Sequence, residues 1–486
     1  MSETDVLIIG AGPAGLAAAV SARRAGARVR IVESSDQSGG QYWRHLPVDR
    51  PAGDEPRLHH QWQRYQQFRA AIETDPAVTV GLGTHVWAIE RLDDAVRVHT
   101  VCGEVDGAGR RRQSITARAL ILATGAYDRA LPVPGWTLPG VVTAGAAQAL
   151  AKGERVMIGE RVLIAGAGPF LFPVAASVHL TGAKVVGVYE ASGFGRLGRR
   201  WLGRPWELSS APAKLAEFTG YVGIHLRGRI PYRPGWGVVA INGTDHVTSA
   251  TVARLDDRWR PVGTRRTVDC DAVCLGHGFS PRLELAIAAG CDLNGDRFVT
   301  VDTAQRTSTP SVFAAGEITG IGGVDLALAE GEIAGWVAAG GTATDAALTS
   351  ARRARAASTR FARRIANAHR IGSGWTDWLD PSTVICRCEE VHYGTLIRVR
   401  DATESVGLRS LKLTTRAGLG LCQGRICGRS VEHILARGNE GAGFVDGAST
   451  DRRPIAAPIR LGELSRPADF VDDDPPSQSA PERKPV

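Results

Sequence analysis

The chain has 486 residues, 43% of them hydrophobic, and a formal net charge of +8; this fits about two to four domains with ordinary cores and excludes a fibre. The charge comes from 53 arginines and five lysines scattered without interleaved aromatics, so nucleic-acid binding is not expected. No apolar run reaches the roughly 18 residues of a membrane span, the N-terminus lacks a charged leader with a cleavage site, and in the cytoplasmic location this implies the eight cysteines read as ligands or buried thiols before disulfides.

The first element is DVLIIGAGPAGLAAAVSARRAGARVRIVE. An apolar strand runs into Gly10, Gly12 and Gly15, an Ala-rich helix follows, and a second strand ends on Glu33. Gly10 permits the tight turn, Gly12 lets the backbone approach a pyrophosphate at the helix N-terminus, and Gly15 allows helix and strand to pack closely. Glu33, 23 residues after Gly10, is placed to accept from a ribose hydroxyl. Further on stand SGGQYW with Gly40 and Gln41, a strand-like THVWAIERL containing Val86, and ALILATGAYD with Thr124 and Gly125.

A second strand, glycine turn, helix and strand follows in ERVLIAGAGPFLFPVAASVHLTGAKVVGVYE. Gly166 and Gly168 are present, but Leu171 replaces the third glycine and predicts looser helix packing. Glu190, 24 residues after Gly166, suits an unphosphorylated ribose and argues against NADPH. NADH, another adenine nucleotide without a redox role, and no ligand at all remain open here. The next cysteines, Cys270 and Cys274, lie in VDCDAVCLGHGFSP, which reads as one strand; a four-residue separation along it is about 13 Å, beyond disulfide reach. They read as packed core thiols, like Cys102 and Cys291, so a redox-active disulfide is not expected.

The late segment TSTPSVFAAGEITGIGGVDLALAEGEIAG carries Gly316 and Glu317, with a helix predicted to start near Val324. Together with Thr124–Gly125 and Gly40–Gln41, it resembles the flavin segments of two-dinucleotide flavoproteins of the glutathione and thioredoxin reductase type. That resemblance implies an α/β fold and FAD, with an acid at position 317 on the ribityl chain, the helix beginning at Val324 facing the ring, and Val86 among the FAD contacts. The stretch 341–379 is Ala- and Arg-rich and reads as a connecting helix. Its seven arginines suit a solvated face, with docking to a partner or peripherally to an acidic membrane as the other reading.

Cys386 and Cys388 in VICRCEE, then Cys422 and Cys427 in LCQGRICGRS, read C-x-C, 33 residues, C-x4-C. Four thiolates at this spacing suit either tetrahedral zinc or a [2Fe–2S] cluster; the nearby glycines leave amides free for cluster sulfurs, and Arg387, Arg416 and Arg425 could offset its charge. VICRCEEV and LKLTTRAGLGLCQGRICG resemble the bacterioferritin-associated-ferredoxin type of [2Fe–2S] domain. Across nearly the whole chain, the motifs are similar to the large FAD/[2Fe–2S] subunit of heteromeric amine dehydrogenases. That group includes the A subunit of opine oxidase, the B subunit of hydrogen cyanide synthase and the alpha subunits of dye-linked proline and hydroxyproline dehydrogenases.

The resemblance implies an electron relay beside a partner flavoprotein that resembles D-amino-acid oxidase, and with them a small ferredoxin-like subunit. Two rival readings stand: a self-sufficient NADH-dependent reductase, and a nucleotide- and zinc-binding scaffold. No set of His, Tyr or Arg beside the flavin segments is evident that would hold an amino-acid carboxylate. The domain order expected is FAD-binding in 1–130, a second Rossmann domain in 131–275, FAD-binding again in 276–340, a helical linker in 341–379, the [2Fe–2S] domain in 380–440, and an extension in 441–486 whose polar, Pro-rich end reads as disordered.

Overall fold

The computed structural model describes residues 4–465, apart from 48–49, 51–52, 54, 105–106, 108, 203–211, 406 and 439–454, together with 469–470. The polar C-terminal tail read above as disordered lies outside the described residues. In the first sheet, strands Val78–Gly81, Val29–Val32, Thr4–Ile9, Arg111–Leu122 and Val312–Ala314 run parallel in that order. Strand Arg111–Leu122 joins the parallel and antiparallel parts of this one eight-stranded sheet. Its last four residues are all buried where it lies between Thr4–Ile9 and Val312–Ala314, whereas burial alternates through Ile115–Arg118, where it also pairs antiparallel with Val96–Cys102. The change from alternating to continuous burial marks the passage from a one-sided sheet to one covered on both faces.

Helix Pro13–Arg24 covers this sheet and is crossed by helix Val324–Ala338. The crossing is close because Gly331 and Gly335 face the carbonyls of Ala14 and Ala18, where a Cβ would collide.

The second sheet is also parallel, in the order Tyr232–Pro234, Lys184–Glu190, Arg161–Gly166, Ala272–Gly276, Val141–Thr143. An antiparallel meander, Trp236–Asn242, Ser249–Leu255 and Pro261–Asp269, packs beside it. Two short connecting strands, Ala126–Asp128 and Phe279–Pro281, pair antiparallel where the chain passes between the two dinucleotide units. The segment around Cys270 and Cys274 is not one strand: the meander ends at Asp269 and a new parallel strand begins at Ala272. Both thiols are buried and unlinked, as core packing predicts.

Helix Thr349–Ala368 follows. Four of the seven arginines, Arg353, Arg360, Arg363 and Arg370, are exposed, while Arg364 is buried and donates to the Trp201 carbonyl at 3.0 Å. The C-terminal elements are a hairpin, Val384–Cys386 with Val391–His392, and helices Tyr393–Thr403, Leu408–Thr415 and Gly428–Gly438. They share one hydrophobic core with the meander, in which Leu396, Leu411 and Ile434 join Trp136, Trp259 and Trp378. Among the described residues, no helix is long and apolar enough to cross a membrane.

Candidate cofactor cleft

Gly10 adopts φ +107°, and a Cβ there would strike the Ala123 carbonyl; one on Gly15 would strike the Gly10 carbonyl. The turn is therefore restricted to glycine by backbone geometry and by space. It delivers helix Pro13–Arg24 with Gly12 as its N-cap and no side chain bonded to the first-turn amides. Helix Val324–Ala338 starts in the same way from Gly323, at φ +76°. Both uncapped N-termini open on one cleft of about 2440 Å³, lined by Gly10, Gly12, Glu33, Gly40, Gln41, Val86, Thr124, Gly125, Gly316, Glu317 and Val324. Gly15 lies beneath the turn. Free amides at positive helix ends and a side-chain-free floor suit the diphosphate of a dinucleotide, so these residues fit FAD.

The two acids of this half are already anchored. Glu33 accepts from the Ala11 amide at 2.7 Å and the Ser35 amide at 2.9 Å. Glu317 accepts from the Gly323 amide at 2.8 Å. Burial pushes the Glu317 carboxyl up to about 7, aided by Glu330 and opposed by the Gly323 and Gly322 amides.

The second turn repeats the backbone and changes the surroundings. Gly166 and Gly168 sit at φ +155° and +115°, and a Cβ on Gly166 would strike the Gly276 carbonyl. Helix Leu171–Leu180 starts three residues after Gly168, whereas the first helix starts one residue after Gly12. Leu171 is buried and packs toward Gly276, while Phe170 meets Phe279 edge-on with ring centroids 5.0 Å apart. Glu190 accepts from the Gly168 amide at 2.8 Å and the Ser192 amide at 3.0 Å. It is 1% exposed. His369 Nδ1 lies 3.4 Å from it, and Trp201 Nε1 lies 3.4 Å from the other nitrogen of that ring. Gly168 lines the cleft, but Gly166 and Glu190 do not.

The four C-terminal cysteines converge from the hairpin and from the loop before helix Gly428–Gly438. Their thiols form two hydrogen-bonded pairs, Cys386 with Cys427 and Cys388 with Cys422. Cys386 and Cys427 are buried, Cys422 is half-buried and Cys388 is exposed. The Cys427 thiol holds Cys386 down to about 6, against burial and with help from the Gly418, Glu389 and Cys388 amides; Cys427 is pushed up by Cys386, by burial and by the other thiols. A Cβ on Gly420 would collide with Cys388, and Gly418 and Gly424 adopt φ +86° and +81°. Among the described residues, no three or more His, Cys, Asp or Glu side chains surround a single metal position.

The arginines of this region are engaged elsewhere. Arg387 lies over Trp136 at 5.3 Å, Arg416 pairs with Glu389 at 2.6 Å, and Arg425 pairs with Glu284 and donates to the Ala456 carbonyl at 2.7 Å. Arg425 also lines the cleft. The loop that carries Cys422 and Cys427 is thereby fastened to the cleft wall.

Sequence reading missed one polar group at the flavin end. Tyr42, Lys152, Glu217 and Tyr221 line the same cleft; they come from three separate segments, of which only SGGQYW, carrying Tyr42, is singled out in the sequence. A single lysine in the Ala-rich AGAAQALAKG, in a chain that otherwise uses arginine, was the available signal.

Residues 4–343 match the pyridine nucleotide-disulphide oxidoreductase family. The A subunit of opine oxidase from Rhizobium meliloti is 32% identical, over 95% of this chain and 87% of its own length. Hydrogen cyanide synthase subunit HcnB of Pseudomonas aeruginosa is also 32% identical, over 87% of this chain and 90% of its own. The structure of L-proline dehydrogenase from P. horikoshii shares the fold, with a TM-score of 0.63 over 95% of this chain and 79% of that one, at 18% identity. The chain is an oxidoreductase that belongs to the pyridine nucleotide-disulphide oxidoreductase family, whose members' fold implies FAD and a second dinucleotide, and within it to the group of HcnB and the opine oxidase A subunit.

Proposed function

We propose that this chain is the electron-relay subunit of a heteromeric dehydrogenase acting on an amino acid, imino acid or opine, with FAD in the first half of the cleft and a [2Fe–2S] cluster on Cys386, Cys388, Cys422 and Cys427. FAD accepts electrons in pairs and releases them singly, and a two-iron cluster carries one at a time. Gly12 and the first-turn amides of helix Val324–Ala338 would face the bound dinucleotide, and Glu33 would meet its ribose. The four thiols, which pair as Cys386–Cys427 and Cys388–Cys422, would divide two to each iron.

The observation that carries the reading is Arg425, which lies in the loop between Cys422 and Cys427 and is anchored in the cleft wall. Relatives named as subunits support a partner chain; the reading assigns substrate oxidation to a cytoplasmic flavoprotein resembling D-amino-acid oxidase. Protein purified anaerobically should contain about two irons with matching labile sulfide, and should give a [2Fe–2S] EPR signal on reduction. Coexpression with the partner should give dye-linked dehydrogenase activity that the isolated chain lacks. Cys422→Ser or Cys427→Ser should block dye reduction while the partner's flavin is still reduced by substrate. Stoichiometric zinc without sulfide would replace the relay with a scaffold.

A further inference from the structure

Lys152 is 6% exposed, and among the described residues its one hydrogen bond, to the Tyr42 carbonyl, is long at 3.4 Å. Its ammonium also stands 5.7 Å above the Tyr42 ring. Arg110 and Arg155, by contrast, have carboxylate partners: Arg110 reaches Glu463 at 2.7 Å and Arg155 reaches Glu55 at 2.8 Å. Among the described residues no carboxylate comes within ion-pair distance of Lys152. Burial lowers its pKa to about 8, partly countered by Glu217, so it stays mainly protonated at neutral pH. Tyr42 Oη is buried without a partner; burial and the nearby Glu217, Tyr221 and Asp325 prevent its ionisation, which leaves it a donor. Glu217 is hydrogen-bonded with Tyr221 and faces His60 at 4.0 Å.

A buried ammonium with one long hydrogen bond and no counter-charge, beside a buried phenol lacking an acceptor, is costly unless an anion completes the pair. Glu217 beside them would repel a simple carboxylate and attract a nitrogen cation, so the chamber discriminates by charge at both ends. We propose that it binds a small α-amino or α-imino acid, with the carboxylate on Lys152 Nζ and Tyr42 Oη and the nitrogen on Glu217. This gives the relay chain an amino-acid site of its own, separate from the substrate-oxidising site assigned above to a partner and independent of whether the thiols hold iron.

Calorimetric titration of the FAD-loaded full chain with glycine, L-proline and acetate tests it without reading iron or turnover. Glycine or L-proline should saturate one site, with acetate at least tenfold weaker. Lys152→Met, Tyr42→Phe and Glu217→Gln should each weaken binding at least tenfold, and Lys152→Met should also raise the unfolding temperature by removing an unpaired buried charge. The two near-isosteric changes, Tyr42→Phe and Glu217→Gln, decide the matter if Lys152→Met does not fold. The proposal is overturned if no probe binds, if acetate binds as tightly as the amino acids, if the variants bind like the parent, or if binding occurs only without FAD.

Discussion

The two glycine turns of this chain share a backbone plan and differ in what covers them. Each places an acid at the end of the second strand, and each acid holds the amide of the turn, Ala11 for Glu33 and Gly168 for Glu190. Glu33 nevertheless lines the cleft, whereas Glu190 lies under His369 and Trp201, brought there by the linker helix and by the segment after the second sheet strand. An acid at the right spacing therefore shows that the turn is braced, not that its ribose edge is open. Access is decided by side chains outside the motif, one of which, His369, is far away in sequence.

The most damaging changes are at the turns themselves. Gly10→Ala and Gly166→Ala each force a Cβ into a carbonyl at positive φ, and each should lower unfolding stability by about 2–5 kcal/mol in urea titrations. Only Gly10→Ala should also deplete flavin from the folded fraction; equal flavin loss in Gly166→Ala would erase the distinction. Next come the acids. Glu33→Gln weakens a charge-assisted acceptor, and flavin affinity should fall about ten- to a hundredfold, equivalent to roughly 1.5–3 kcal/mol. Glu190→Gln should cost stability on that scale and leave flavin affinity unchanged. The smallest effect is an absence: anaerobic NADH should not rapidly bleach the flavin, because the ribose edge at Glu190 is covered. Trp201→Ala with His369→Ala should uncover it and speed the reaction. Rapid bleaching of the unaltered protein would show that the linker helix moves aside, and would favour a self-sufficient reductase.

Local pattern made the first turn legible: strand, glycines, helix and acid occupy one stretch, and the turn glycines Gly10 and Gly15 and the Glu33 side chain meet neighbours within or next to it or the Ala123 segment. The start of the helix at Val324 was legible for the same reason, since Gly322 and Gly323 end the preceding loop. The strand expected through Cys270 and Cys274 was misread because both of its halves are β-prone and the turn at Asp271 has no glycine or proline. The cover over Glu190 and the chamber around Lys152 were not legible, because each depends on a pair of residues more than a hundred apart, Glu190 with His369 and Tyr42 with Lys152. What could be read was that Leu171 would alter the second helix; it begins later and fills its own floor.

The double use of strand Arg111–Leu122 bears on the order in which the protein forms during synthesis. Its buried end needs Val312–Ala314 as a neighbour, and helix Pro13–Arg24 needs Gly331 and Gly335 against it. The N-terminal nucleotide unit thus waits for chain that emerges after the whole of the second unit, whose last sheet strand ends at Gly276. Domains usually complete in the order in which they are translated. Here the second unit can close first, and the nascent N-terminal sheet must keep its apolar edge from pairing wrongly until the residues that cover it leave the ribosome.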